Sequence, residues 1–314
     1  MSDYRIDNVL CIINPAAGQD RPVLGTLNRA FQASGVNWDV GLTKQAGDAL
    51  RMAREAVVAG VDAVAVYGGD GTVMEVAAGL SGSGIPLAIF PGGTANVMSV
   101  ELGIPNDLEQ AVALVSGAAR QIRTVDMGRV RDSGGNEQMF ILRLSIGYLA
   151  RMTEGAARET KNRVGTLAYA LSALQALAQA EIAHFQITVD GETVESDGVT
   201  CMIANSGSLG VSGLTLSRQM SVDDGLLDVL VLHNADLIEV AKVIGNSISG
   251  VENFPHWQGR EITLHADPAQ PIECDGEMIH ATPVTVSVVP QSLRVIVPNP
   301  ATIEAAEQEL IKHE

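Results

Sequence analysis

Gly68-Gly69-Asp70-Gly71-Thr72 joins the residue types that cradle phosphate. It follows the apolar run from Val61 to Tyr67 and leads into the helix-like Val73-Met74-Glu75-Val76-Ala77-Ala78-Gly79-Leu80. Glycines at such a junction let the backbone approach a bound group, and the N–H groups and dipole of the helix point at it. Asp70 is the odd member, because a carboxylate beside phosphate repels it unless a divalent cation lies between them. These five residues therefore point to a nucleotide with its metal. A glycine turn after a strand is equally a structural connector, and the loop alone leaves that reading open.

The arrangement recurs. Pro86 to Phe90 is a second short apolar strand, running into Pro91-Gly92-Gly93-Thr94-Ala95-Asn96. Val9 to Ile13 is a third, ending at Asn14-Pro15-Ala16-Ala17-Gly18, with Arg21 close enough in sequence to reach phosphate or simply to be solvated. None of these loops is followed by Gly-Lys-Ser/Thr as in a P-loop, and none has the GxGxxG spacing of dinucleotide binders.

Positioning three such loops together requires parallel strands. Helical spacing over Val23–Ser34, with Leu24, Leu27, Ala30 and Phe31 apolar, over Asp48–Ala59 and over Asp107–Ser116 alternates with strands, one of them at Trp38-Asp39-Val40. This predicts an α/β domain with a mainly parallel sheet and its ligands at the carboxyl strand ends. Beyond Arg123 the pattern changes to strand-like runs at 124–130, 138–142, 185–189, 199–203 and 226–230, with a hairpin signal at Asp190-Gly191. The second half reads as an antiparallel β-sandwich. An Ala- and Leu-rich helix is expected at 163–183, packing as core or lining a groove for an acyl chain; Ser172, Gln175 and Gln179 argue against a membrane span. Further helices are expected at 237–249 and 302–313, and an aromatic loop at Phe254-Pro255-His256-Trp257.

With 314 residues the chain has room for two domains. Its 46% hydrophobic and 18% charged content fits a soluble protein, and a formal net charge of −17 argues against nucleic-acid partners and tight docking on anionic lipid. Met1 to Asn8 lacks the basic and apolar regions of a secretory signal, so a cytoplasmic location is expected. Cys11, Cys201 and Cys274 match no zinc spacing and read as reduced core thiols, and the six histidines read as structural or solvated.

Two acidic turns carry the remaining chemistry. Ser221-Val222-Asp223-Asp224-Gly225-Leu226 reads as a solvated turn or as a hard-cation site built from a carboxylate and carbonyl oxygens. Glu273-Cys274-Asp275-Gly276-Glu277 reads as a hairpin turn or as the source of a base for a hydroxyl acceptor. Asn14-Pro15-x-x-Gly18, the GGDGT loop with Glu75, Pro91 to Asn96 ending in Leu102-Gly103-Ile104-Pro105, then Asp224-Gly225-Leu226-Leu227-Asp228-Val229 and Asp275-Gly276-Glu277 together resemble the soluble diacylglycerol kinase-like lipid kinases. The resemblance spans nearly the whole chain. The GGDGT loop is shared with sphingosine kinases and, more distantly, NAD kinases, whereas the two late motifs favour the bacterial lipid kinases.

The resemblance implies a three-layer Rossmann-like domain over residues 1–127, rejoined by 298–314, and a β-sandwich domain over 128–297. It implies ATP at Asn14, Pro15, Ala16, Ala17 and Gly18, at Thr43, at Gly68, Gly69, Asp70, Gly71 and Thr72, and at Gly92, Gly93, Thr94 and Asn96. Mg2+ would be held by Asp224 with backbone oxygens of Ser221 and Leu226. Glu277 or Asp275 would take the acceptor's proton, and Asp70 would order the metal–nucleotide between the two domains. The acceptor would be diacylglycerol or a related lipid at the inner membrane surface, with peripheral membrane contact; the family leaves room for a homodimer. A sphingoid base, another hydroxylated small molecule, or a non-catalytic nucleotide- or lipid-binding role are the alternatives. Two departures bear on them: Val97 stands where the family usually has Asp, and Ala17 where Ser is common.

Overall fold

Strand and helix alternate through the first 116 residues in the computed structural model, which describes residues 4–18, 21–117, 120–152, 180–208, 216–217, 220–233 and 255–299. Strand β1 (Asn8–Ile13) leads to α1 (Val23–Ser34), β2 (Asn37–Leu42), α2 (Asp48–Ala59), β3 (Ala63–Gly68), α3 (Asp70–Leu80), β4 (Leu87–Pro91), α4 (Val97–Glu101) and α5 (Leu108–Ser116). The spacing of Leu27 and Phe31 turns the apolar stripe of α1 inward, and both residues are fully buried. Asp107 caps α5 by accepting the Gln110 N–H at 3.0 Å.

The chain divides into two compact units. One is Met1–Val125 with the chain from Gln291; the other contains Asp126–Leu209 and Gly213–Pro290. In the first, β1 pairs in parallel with β2 and β3, and β3 in parallel with β4. β3 is buried along its whole length, as a central parallel strand should be. The carboxyl ends of β1, β3 and β4 are where the three glycine loops begin.

The second half supplies β5 (Arg120–Asp132), β6 (Glu137–Phe140), β7 (Arg143–Gly147), β8 (Ala183–Val189), β9 (Glu192–Gly198), β10 (Thr200–Ala204), β11 (Leu227–Leu232), β12 (His256–Gly259), β13 (Glu261–Asp267), β14 (Pro271–Cys274), β15 (Glu277–Ala281) and β16 (Val284–Pro298). Strands β12-β11-β10-β7-β14-β15 form one antiparallel sheet, and β13 pairs antiparallel with β16 and β8. Side chains from both layers share one core, with Leu144, Ile146, Ile203, Val229 and Ile272 from the first and Phe185, Ile187, Ile262, Leu264 and Val286 from the second. This is the expected sandwich. Asp190 and Gly191, both at positive φ, make the two-residue turn between β8 and β9.

β16 runs from one unit into the other. Its first residues pair with β13, while Val295 pairs in parallel with Leu87 of β4 and Arg294 Nη1 donates to the Gly84 carbonyl at 2.7 Å. The chain thus joins the first unit from residue 291, ahead of the position 298 expected from sequence.

Two local readings change. His256 and Trp257 belong to strand β12, paired with Leu230 and Val229, instead of an aromatic loop. Ala183 begins β8, and residues 180–182 are not helical, because Ala183 and Phe185 face the sandwich core at strand period. The rest of the 163–183 helix lies outside the described residues, as do those at 237–249 and 302–313. Among the described residues no helix is long and apolar enough to cross a membrane. Cys11, Cys201 and Cys274 are free buried thiols, and burial pushes Cys11 up to about 12.

Candidate active site

In the first unit the three loops interlock. Asn14 shapes its own loop by accepting the Ala16 N–H at 2.9 Å, and its Nδ2 donates to Thr72 Oγ1 at 3.0 Å. Pro15, Ala16 and Gly18 are exposed and Ala17 is half-buried. Gly68 lies over the Thr72 side chain, where a Cβ would sit 2.7 Å from the threonine Cβ. A Cβ on Gly93 would come 2.6 Å from the Gly69 Cα, so the second and third loops touch backbone to backbone. Asn96, at φ 48, turns its amide back on that loop, accepting the Gly93 N–H and donating to the Gly93 carbonyl, both at 2.9 Å. Thr43 is buried beside β1, its N–H donating to the Ile13 carbonyl at 3.0 Å; Gly71 and Thr94 are exposed.

Asp70 opens α3 at the centre of this arrangement. Burial raises its pKa, and the backbone N–H groups of Met98, Val97 and Asn96 at the start of α4 pull it the other way. Oδ1 is buried without a hydrogen-bond partner. A carboxylate oxygen in that condition suits a cation or a donor brought by a ligand. Glu75 serves the scaffold: its carboxylate accepts from the N–H groups of Gly47, Ala49 and Leu50 at 2.9 to 3.3 Å, holding the start of α2. Val97, where the resemblance implies an Asp, is buried at the start of α4 as an apolar side chain.

In the second unit the two acidic turns differ in how their oxygens are used. Asp275 and Gly276, both at positive φ, form the hairpin turn between β14 and β15. The Asp275 carboxylate points inward and accepts N–H groups of Ile141, Leu142 and Arg143 at 2.7 to 3.2 Å. Burial pushes its pKa up to about 6 against those amides, and Glu273 adds to the rise. Glu277, two residues on, is exposed. The turn therefore presents one carboxylate outward and holds itself in place with the other. Gly276 N–H also donates to Glu273 Oε1.

At the other turn Asp224 is exposed and its Oδ1 accepts the Leu226 N–H at 3.0 Å. Its pKa is raised by partial burial and by the neighbouring charges of Asp228, Asp126 and Asp223. Ser221 Oγ donates to Asp223 Oδ1 at 2.6 Å. Asp228 is buried with Oδ1 bonded to His256 Nε2 at 2.6 Å and to Gln258 Nε2 at 2.8 Å, while Oδ2 has no partner. Asp224 with carbonyl oxygens of the turn is a donor set of the kind that could hold a Mg2+-type cation. Among the described residues no group of three or more His, Cys, Asp and Glu is spaced as a ligand set, so carbonyls and water would complete the shell.

Asp126, Asn205 and the Asp228–His256 pair were not singled out from sequence. Asp126 is fully buried and its Oδ2 accepts the Gly225 N–H at 2.7 Å, anchoring the Asp224 turn. Asn205 Nδ2 donates to the carbonyls of Asp126 and Ile141, both at 3.0 Å. Through it the anchor of one acidic turn is bonded to the segment that clamps the other. The available signal was an Asp between apolar Val125 and Met127 inside a strand, which asks for a partner.

Residues 8–130 match the diacylglycerol kinase catalytic domain model, and residues 143–297 match the YegS C-terminal NAD kinase beta sandwich-like domain. A probable lipid kinase YegS-like protein of Pseudomonas aeruginosa is 30% identical over 93% of this chain and 95% of its own. The chain belongs to the diacylglycerol kinase-like lipid kinase family. A Bacillus subtilis diacylglycerol kinase is 27% identical over 95% of this chain and 97% of its own. A Bacillus anthracis diacylglycerol kinase crystal structure superposes with TM-score 0.77 at 28% identity, covering 95% of this chain and 99% of that one. This lipid kinase family member is thus a phosphotransferase with an alcohol acceptor, built from the two domains that its relatives share end to end.

Proposed function

We propose that this protein is an ATP- and Mg2+-dependent kinase that transfers the γ-phosphate to a hydroxyl of diacylglycerol or a related lipid. The observation that carries this reading is the interlocking of three glycine loops at neighbouring parallel strand ends around Asp70, whose Oδ1 is left for a ligand. Backbone N–H groups of these loops neutralise the polyphosphate, and the Gly69–Gly93 contact fixes their spacing before it arrives. Asp224, with carbonyl oxygens of Ser221 and Leu226, would hold the cation, which supplies positive charge for phosphoryl transfer. Glu277 takes the proton of the acceptor hydroxyl at its carboxylate. It is preferred over Asp275 because the oxygens of Asp275 are already engaged by three N–H groups.

Phosphoryl transfer from labelled ATP to diacylglycerol, a sphingoid base and glycerol in mixed micelles, with and without Mg2+, tests the reading. Label in diacylglycerol that requires Mg2+ is the expected result. Transfer to the sphingoid base or glycerol in preference would reassign the acceptor, and nucleotide binding without transfer to any of them would overturn the proposal.

A further inference from the structure

Tyr67 is the residue of β3 just before Gly68. It is 3% exposed, and its hydroxyl oxygen is buried with no hydrogen-bond partner. A buried O–H without a partner is uncommon, because it has lost water and gained nothing in return. The ring is wedged beneath the third loop: a Cβ on Gly92 would lie 2.9 Å from the ring carbon that bears the hydroxyl and 3.0 and 3.1 Å from its two neighbours. The Tyr67 carbonyl accepts the Asn14 N–H at 2.9 Å, which ties the same residue to the first loop. All three loops therefore meet on Tyr67.

Tyr67 is also one of the residues that line a cavity of about 440 Å³, together with Asn14–Gly18 and Arg21. Arg21 supplies positive charge, with Nη1 bonded to the Asn106 carbonyl, and no acidic side chain lines the cavity among the described residues. Such a lining favours an anion, and a phenol O–H donates well to an anionic oxygen.

We propose that the Tyr67 hydroxyl is a binding group for the nucleotide's polyphosphate, donating to a phosphate oxygen held over the first and third loops. This rests on the nucleotide reading above. The hydroxyl is therefore available to a donor–acceptor contact brought by a ligand.

Tyr67→Phe separates this from a packing role, because it keeps the ring beneath Gly92 and removes only the unpartnered group. Calorimetric titration of wild type and variant with ATP, ADP, adenosine and inorganic phosphate, alongside thermal unfolding of the ligand-free proteins, reads it out. The expected result is affinity for ATP and ADP about tenfold weaker in the variant, adenosine unchanged, and ligand-free melting temperature unchanged or raised. Wild-type affinity for ATP in the variant would overturn the proposal while leaving the nucleotide reading intact. So would a lowered ligand-free melting temperature, which would mean that the hydroxyl has an internal partner. Loss confined to inorganic phosphate, with ATP unaffected, would overturn the nucleotide assignment of the hydroxyl. If wild type binds no nucleotide at all, both readings fall.

Discussion

The glycine loops of the first unit and the acidic turns of the second solve opposite problems. Under the proposed function the loops bring backbone close to an anion, and they are shaped by what is missing: side chains at Gly68, Gly92 and Gly93 would collide with Thr72, Tyr67 and Gly69. The turns must hold negative charge near negative charge, so they are shaped by where each carboxylate's lone pairs go. Asp275 and Asp126 use theirs on backbone N–H groups and fix the turns. Glu277 is exposed, and Asp228 keeps one buried oxygen without a partner. Under the proposed function, the acid whose lone pairs remain free is the one available for chemistry.

The strongest way to break that comparison is to exchange the fates of the two carboxylates on one turn. Glu277→Gln should lower phosphoryl transfer by about 10²- to 10⁴-fold, the usual effect of losing a positioned base, with an unchanged urea midpoint. Asp275→Ala should act the other way round. It strands three N–H groups, at about 1–3 kcal/mol for each one left buried and unsatisfied, and should lower unfolding stability by at least about 2 kcal/mol. Equal loss of stability in both variants would show that Glu277 is structural too.

A second contrast lies within the loops. A Cβ on Gly93 meets Gly69 backbone at 2.6 Å, whereas a Cβ on Gly69 meets Gly93 at 3.5 Å, an ordinary contact. Gly93→Ala should cost about 1–3 kcal/mol of stability, as overpacking does, and Gly69→Ala less than about 1 kcal/mol. Thermal unfolding of the two ligand-free variants measures this. Equal effects would mean that the loops are not in register as described.

The smallest expected effect is a pH limb. Burial raises the pKa of Asp70, so it gains its proton at a higher pH than an ordinary carboxylate. If the ionised form orders the metal–nucleotide, Mg-ATP affinity should fall few-fold as pH drops toward that raised value and recover as pH rises. Asp70→Asn should bind more weakly at neutral pH and lose the limb. A limb that persists in the variant assigns it to another group.

Much of this was legible in the order of residues, for local reasons. Apolar runs ending at Asn-Pro or at glycine turns marked β1, β3 and β4 and their loops, helical spacing gave α1 and α2 at their observed bounds, and Asp190-Gly191 gave a hairpin. The change from strand–helix alternation to strand runs near residue 123 marked the passage into the sandwich. His256-Trp257 was misread because two aromatic residues after Pro255 look like a loop until the pairing with Leu230 and Val229 is known.

What sequence alone determined was thus the set of turns and the residue types offered at them, because φ preferences and apolar period are properties of short segments. Only the tertiary structure decided how those residues are spent. Asp275 and Glu277 are two positions apart and chemically alike, yet the N–H groups that separate them come from residues 141–143, more than 130 positions away. Asp126, Asn205 and Tyr67 acquire their roles in the same way, since a buried polar group is defined by its partners, and those partners are brought by the fold.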